Sequence, residues 1–73
     1  MPIYKFTVIV EKDEDGLYVA SCPALQGCYS QGETLDEAME NIKDAINVHI
    51  EARKKVGETI PLETVVTEVE VVA

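Results

Sequence analysis

Residues 31–50, QGETLDEAMENIKDAINVHI, decide the fold because they contain a helix start followed by a helical stripe. Thr34 and Glu37 stand three residues apart and form a capping box, in which each side chain satisfies a free backbone N–H of the first turn. The apolar residues then recur at intervals of three and four, which is the period of one helix face. They are Leu35, Ala38, Met39, Ile42, Ala45, Ile46 and Ile50. The stretch predicts an amphipathic helix.

The end of this helix is marked by charge and by two helix-breaking residues. Acidic Asp36 and Glu37 stand at the start and basic residues 53–55 at the end, so that both placements complement the helix dipole. Gly57 is a suitable stop and Pro61 lies shortly beyond it. The helix is therefore expected to end just before Gly57.

A hairpin is predicted on the N-terminal side of the helix. Residues 3–11 alternate between two faces and are rich in β-branched and aromatic side chains, which favours a strand. Residues 12–16, Lys-Asp-Glu-Asp-Gly, form a polar turn. Residues 17–22 then return as a second strand.

A short loop and a third strand connect this hairpin to the helix. Pro23 and Gly27 bracket the loop, and Pro23 cannot donate to a β ladder, so the second strand is expected to end near Cys22. Residues 28–31 are predicted as a short third strand, stopped by Gly32.

The chain after the helix predicts a fourth strand, because residues 64–72 alternate Val with Thr and Glu. The order β-β-β-α-β belongs to the α+β class, and residues 1–73 are expected to form one domain. A right-handed crossover would place the last strand parallel to the first, giving a mixed four-stranded sheet of order 3-2-1-4 with the helix on one face. The other face would expose Ile or Val of the first strand, and either this face or the edge of the fourth strand is expected to form a homo-oligomer, dimer or tetramer.

The net charge restricts the partners. Six basic residues against fourteen acidic ones give a formal charge of −8, which repels a phosphate backbone. Direct nucleic-acid binding by the chain alone is therefore not expected, although residues 53–55 form a local basic spot. A basic protein partner fits better. The alternative is that the acidity only keeps a small protein soluble, and charge does not separate the two readings.

The chain offers no constellation typical of catalysis. The carboxylates of residues 13–15 have neither the spacing of a calcium loop nor partners from other elements, so a solvated turn is the better interpretation. Cys22 and Cys28 have only His49 as a further nitrogen ligand or base, which is too few for a zinc site and favours small buried side chains. We predict no enzyme activity, no metal and no cofactor.

The opening residues suit a strand and not a signal peptide, and no apolar run is long enough to span a bilayer. A cytoplasmic protein without a membrane partner is expected.

Two segments together resemble the HicB antitoxin family. Residues 15–28, DGLYVASCPALQGC, match the family pattern D-G-x-Y-x-A-x-x-P-x-L-x-G-C, and residues 31–38, QGETLDEA, match its helix start G-D/E-T-x-x-E-A. Asn41 and Ile42 continue the likeness. It spans residues 3–55 with the same spacing throughout, and the compound pattern is specific.

The resemblance implies a partial ribonuclease-H-like fold and an antitoxin function. HicB-type proteins pair with HicA-type toxins, small basic ribonucleases that cut messenger RNA, and cover the toxin's catalytic and RNA-binding surface. Many members add a C-terminal helix-turn-helix or ribbon-helix-helix domain that binds the operon's promoter. Since the sequence ends at Ala73, we expect a stand-alone form without that domain.

The expected contacts with a toxin are the loop after the second strand and the acidic positions near the turn and the helix start. They are Pro23, Ala24, Leu25, Gln26 and Gly27 in the loop, with Asp13, Glu14, Asp15, Glu33, Asp36 and Glu37 as the acidic positions. Three other hypotheses remain: an oligomeric transcriptional or nucleic-acid-associated regulator, a residual nuclease, and an orphan HicB-like domain without a toxin partner.

Overall fold

The computed structural model describes residues 4–63 and 69–72. Three strands and one helix follow one another in the chain: β1 (Ile9–Lys12), β2 (Tyr18–Ser21), β3 (Tyr29–Gly32) and α1 (Leu35–Lys55). The predicted α+β class is confirmed.

The sheet is antiparallel, with β2 between β1 and β3. Val10, Ala20 and Ser30 lie in one row across it. Because side chains alternate along a strand, Ala20 points to the helix side, where it is fully buried, while Ile9 and Val19 point to the other face. One face of the sheet is thus covered by α1, as the sequence predicts.

The ladder of β1 is shorter than the predicted strand, which covered residues 3–11. Ile9 pairs with Ser21, so earlier residues would need partners beyond Ser21. There the chain leaves the strand at Pro23 and turns back on itself, since the Leu25 N–H bonds to the Cys22 carbonyl at 3.1 Å. Residues 4–8 therefore have no ladder partner on β2. The second strand is likewise one residue shorter at each end than predicted, and β3 begins and ends one residue later.

The predicted four-stranded sheet of order 3-2-1-4 is not found. Residues 64–68 of the predicted fourth strand lie outside the described residues, and residues 69–72 are not in a strand. Across the described ranges the sheet has three strands in the order β1-β2-β3. An alternating sequence shows only that a segment suits a strand, whereas a strand exists only where a neighbour completes its ladder.

Glu63 does bring the chain back to the N-terminal segment after the helix. Its carboxylate accepts hydrogen bonds from the Thr7 hydroxyl and from the Thr7 backbone N–H. These bonds hold the pKa of the Glu63 carboxyl below its ordinary value of 4.5. The contact joins the chain after the helix to the segment that precedes β1.

Glu63 should therefore make stability depend on pH. A carboxyl whose pKa is lower in the folded state stabilises the fold above its unfolded pKa, and this contribution is lost as the pH falls through the folded pKa. We expect the difference in unfolding free energy between the wild type and Glu63→Gln to shrink as the pH drops below about 4.5. Urea titrations at a series of pH values measure it, with Glu11→Gln as the exposed control. A difference independent of pH would contradict the bond.

Both ends of α1 are capped. The Thr34 hydroxyl accepts from the Glu37 N–H at 3.1 Å, which confirms half of the capping box. The Glu37 carboxylate reaches one residue further back than predicted and accepts from the Glu33 N–H at 3.3 Å. Gly57, with φ of 73°, ends the helix: its N–H bonds to the Lys54 carbonyl at 3.2 Å.

The core lies between α1 and the covered face of the sheet. Its buried members are Ala20, Cys22, Leu25, Cys28, Ala38 and Ile42. At Gly32 the sheet and α1 approach closely, since a Cβ atom there would stand 2.5 Å from the Ala38 backbone nitrogen. The sequence predicts Gly32 only as the residue that stops the third strand. In the structure it is the last residue of β3 and it also contacts α1.

Candidate protein-binding site

The six acidic residues predicted as contacts, of fourteen in the sequence, lie at one end of the sheet. Lys12, Tyr18 and Gly32 lie in one row of the register, so the turn after β1 and the helix start after β3 share that end. We call this surface the acidic end. It consists of Asp13, Glu14, Asp15, Glu33, Asp36 and Glu37, all of them exposed.

Two members of the acidic end support the fold. Asp13 Oδ1 accepts from the backbone N–H groups of Asp15 and Leu17, both at 2.9 Å, and so closes the hairpin turn. Glu37 is engaged at the helix start. Within the described residues, the side chains of the other four members make no hydrogen bond or ion pair. They are Glu14, Asp15, Glu33 and Asp36, and they are free to meet a partner.

The predicted contact loop, residues 23–27, lies at the opposite end of β2. The Leu25 N–H bonds to the Cys22 carbonyl at 3.1 Å, and the Cys28 N–H bonds to the Leu25 carbonyl at 3.0 Å. Leu25 is only 1% exposed and belongs to the core, so its side chain is not available to a partner. Pro23, Gln26 and Gly27 are exposed, and Ala24 packs partly against the core.

The acidic end and the loop are therefore two surfaces. The four residues of β2, Tyr18–Ser21, separate them by roughly 10 Å at about 3.3 Å per residue. The sequence predicts both as contacts without their distance. Of the two, the acidic end presents more free charged side chains, and we take it as the candidate binding site.

The cysteines lie directly opposite each other at the base of the loop, and both are buried free thiols. Burial raises the pKa of the Cys22 thiol and of the Cys28 thiol, which makes thiolate formation harder. His49 lies elsewhere, on the helix beside Arg53 and Val56. No group of three or more His, Cys, Asp or Glu residues placed to hold a metal ion occurs in residues 4–63 and 69–72.

The uncovered sheet face is partly apolar, as the sequence predicts. Ile9 and Tyr29 are 45% and 69% exposed and have Ser21 between them in the register, while Val19 is half-buried in the next row on the same face. Glu11 and Gln31 share this face. The face is thus mixed in polarity.

A groove on the helix side was not foreseen from the sequence. It has a volume of about 520 Å³ and lies between the N-terminal segment, residues 4–8, and α1. Tyr4, Phe6 and Val8 form one wall, and Met39, Ile42, Ile46 and Ile50 form the other. The sequence did contain an indication of this groove. The predicted first strand has an apolar face along its whole length, but only its last residues pair with β2, so the apolar side chains of residues 4–8 face α1 without a neighbouring strand in the described sheet.

Asn41 is a second feature that sequence reasoning did not explain. Its side-chain amide donates to the Gln31 carbonyl at 2.8 Å and ties α1 to the edge strand β3. The bond satisfies a carbonyl of β3, an edge strand of the described sheet. Asn41 therefore holds the start of α1, which carries Asp36 and Glu37 of the acidic end, against β3.

Comparison with known proteins identifies the family. The family model described as "HicB_like antitoxin of bacterial toxin-antitoxin system" matches residues 6–72. The chain belongs to the HicB-like antitoxin family. The resemblance in residues 15–42 is thereby confirmed.

Several relatives of this HicB-like chain share most of their length with it. A UPF0150 protein of Thermoplasma acidophilum is 58% identical over 57 residues, covering 78% of this chain and 83% of that protein. A UPF0150 protein of Archaeoglobus fulgidus is 48% identical over 63 residues, covering 84% and 91%. The crystal structure of the N-terminal domain of Burkholderia pseudomallei antitoxin HicB superposes with a TM-score of 0.73 and 33% identity, covering 84% of this chain and 72% of that one.

Within residues 4–63 and 69–72, no helix has the length and apolar character needed to cross a bilayer.

Proposed function

We propose that this HicB-like chain neutralises a small basic HicA-type ribonuclease toxin by direct contact through the acidic end, without catalysis of its own. The proposal depends above all on one observation: four exposed carboxylates without described partners, Glu14, Asp15, Glu33 and Asp36, stand together at one end of the sheet. Family membership supports the antitoxin role, and a net charge of −8 suits a basic partner.

Such a contact would act by covering the RNA-binding surface of the toxin. A ribonuclease that binds RNA must present cationic side chains to the phosphates, and the acidic end offers carboxylates to the same groups. Complementary charge also speeds encounter and selects among partners. In this proposal the exposed loop residues Pro23, Gln26 and Gly27 extend the contact at the other end of β2.

Charge reversal at the acidic end tests the proposal. Glu14→Lys combined with Glu33→Lys changes the net charge from −8 to −4 and leaves the structural Asp13 and Glu37 in place. Because like charges then face the toxin, we expect its dissociation constant to rise about tenfold at low salt, with a weaker salt dependence. Calorimetric titration with a purified HicA-type toxin measures the affinity, and RNA cleavage in the mixture should resume.

A matched control separates position from total charge. Asp44→Lys combined with Glu51→Lys makes the same change in net charge at exposed positions along α1. This variant should bind the toxin within about threefold of the wild type, since distant exposed charges are screened. If both variants lose the same affinity for the toxin, total charge and not the position of the carboxylates determines binding. If Glu14→Lys with Glu33→Lys loses no affinity, the acidic end does not contact the toxin.

No observation favours the nucleic-acid-associated alternative. Of the basic residues 53–55, Arg53 faces Glu58 at 3.8 Å and donates to the Thr59 carbonyl at 3.4 Å. The Lys54 ammonium lies 5.8 Å from the centre of the Tyr4 ring. Two of the three cations thus have partners within the chain.

Self-association and a cytoplasmic location belong to the same proposal. A domain of 73 residues buries a small core, so a second copy is a natural source of further burial. The exposed apolar side chains Ile9, Tyr29 and Val69 support a homo-oligomer.

A further inference from the structure

The groove beside α1 is a largely apolar surface with a volume of about 520 Å³. The Tyr4 and Phe6 rings stack in its wall with their centres 6.5 Å apart, and Phe6 and Val8 are only partly buried against the core. Met39 on the opposite wall is 44% exposed. These side chains would gain from being covered.

The C-terminal residues 69–72, Val-Glu-Val-Val, have the matching character. Val69, Val71 and Val72 are 81%, 76% and 97% exposed, so they contribute almost nothing to the core of their own chain. Val69 and Val71 would share one side of an extended segment, and Glu70 would lie on the other. An extended segment of this kind presents alternate side chains to the surface on which it docks.

Charge complementarity favours the same pairing. The groove carries Lys43 on its rim, and the Lys54 ammonium lies over the ring of Tyr4 at its wall. Glu40 also lies on the rim, so the lining includes both signs. Two copies of an acidic chain repel each other at their acidic ends, whereas here Glu70 of one copy can meet a lysine of the other.

We propose that the groove receives residues 69–72 of a second copy of this chain, and that the exchange is reciprocal. This rests on the proposed self-association and names the surface that performs it. In the single chain residues 69–72 stand outside the groove, since their valines are at least three-quarters exposed. A two-fold exchange covers both grooves and both C-terminal segments in one closed dimer.

The first experiment measures the oligomeric state of the full chain by sedimentation equilibrium at micromolar concentration. The wild type should have twice the single-chain mass of 8.0 kDa. Val69→Asp combined with Val71→Asp should raise the dimer dissociation constant at least about 30-fold, because two apolar side chains no longer enter each of the two grooves. Val48→Asp, an exposed helix position outside the groove, should leave the dimer unchanged. A monomeric wild type, or a double variant that dimerises normally, overturns the proposal.

The second experiment identifies whose segment occupies the groove. Asn47→Cys on the groove rim and Val71→Cys are made in separate chains, mixed, and treated with a short bismaleimide. Since each chain carries only one exposed thiol, a cross-link between them must join two copies. Mass spectrometry should find this pair, and should find far less of it when Val48→Cys replaces Asn47→Cys. A single chain that carries both Asn47→Cys and Val71→Cys serves as the comparison. If this chain forms a cross-link within itself and the mixed chains form none, the groove is occupied by its own C-terminal segment and the proposal fails.

The two proposals fail separately. The acidic-end variant Glu14→Lys with Glu33→Lys should remain dimeric, so its toxin titration tests only the toxin contact. The variant Val69→Asp with Val71→Asp should lower the mass of the assembly and leaves the acidic end unchanged. Its sedimentation therefore tests only the exchange of C-terminal segments.

Discussion

Leu25→Ala is expected to leave the chain largely unfolded at room temperature. Leu25 is 1% exposed and is one of the largest fully buried side chains, held at the centre of the loop between Cys22 and Cys28. Truncation of a buried leucine to alanine costs about 2–5 kcal/mol, from lost burial and from the cavity that remains. A domain of this size has only about 3–5 kcal/mol of net stability from its core.

Urea unfolding followed by circular dichroism measures this loss. Gln26→Ala is the matched control, because Gln26 is the next residue of the same loop and is exposed. It should unfold within about 0.5 kcal/mol of the wild type, as surface substitutions usually do. If Leu25→Ala were as stable as Gln26→Ala, the loop would not be anchored in the core, and Leu25 would return to the set of possible toxin contacts.

Gly32→Ala is expected to destabilise the fold almost as strongly. The added methyl would stand 2.5 Å from the Ala38 backbone nitrogen and 2.9 Å from the Glu37 carbonyl carbon. Neither atom belongs to a flexible side chain, so α1 itself must move away from β3. The Thr34 cap and the Asn41 bond to Gln31 resist that movement. We expect a loss at the upper end of the roughly 1–3 kcal/mol typical of overpacking.

Thermal unfolding compares Gly32→Ala with Gln31→Ala, whose side chain is exposed on the uncovered face of the same strand. A shift of α1 would also move Glu33 and Asp36 relative to the turn after β1. Gly32→Ala should therefore weaken toxin binding even under conditions where the variant is folded. A variant with wild-type stability would show that α1 has room to move on β3, against the contact described for Gly32.

The helix could be predicted in detail because its determinants are local. The cap at Thr34, the apolar period of three and four, and the glycine at residue 57 each act on residues within one or two turns of the helix. The hairpin turn at residues 12–16 is local in the same way. Family membership was also within reach, because residues 15–28 and 31–38 carry a long, specific pattern.

The candidate site could be predicted only in part. The acidic residues were found because charge is visible in a sequence, but Asp13 and Glu37 proved to serve the turn and the helix start. Leu25 was counted as a contact because it lies in a loop, yet that loop folds inward. Whether a loop side chain points to solvent or to the core depends on the backbone bonds that close the loop.

The sequence by itself determined the helix, the turn, the strand order of the hairpin and the acidic character, because each depends on neighbouring residues or on composition. Only the tertiary structure decided where the ladders end, that the acidic end and the loop lie apart, and that residues 4–8 form a groove with α1. These features depend on contacts between segments that are distant in the sequence. The length of β2 and the close approach of α1 to β3 at Gly32 determine those contacts.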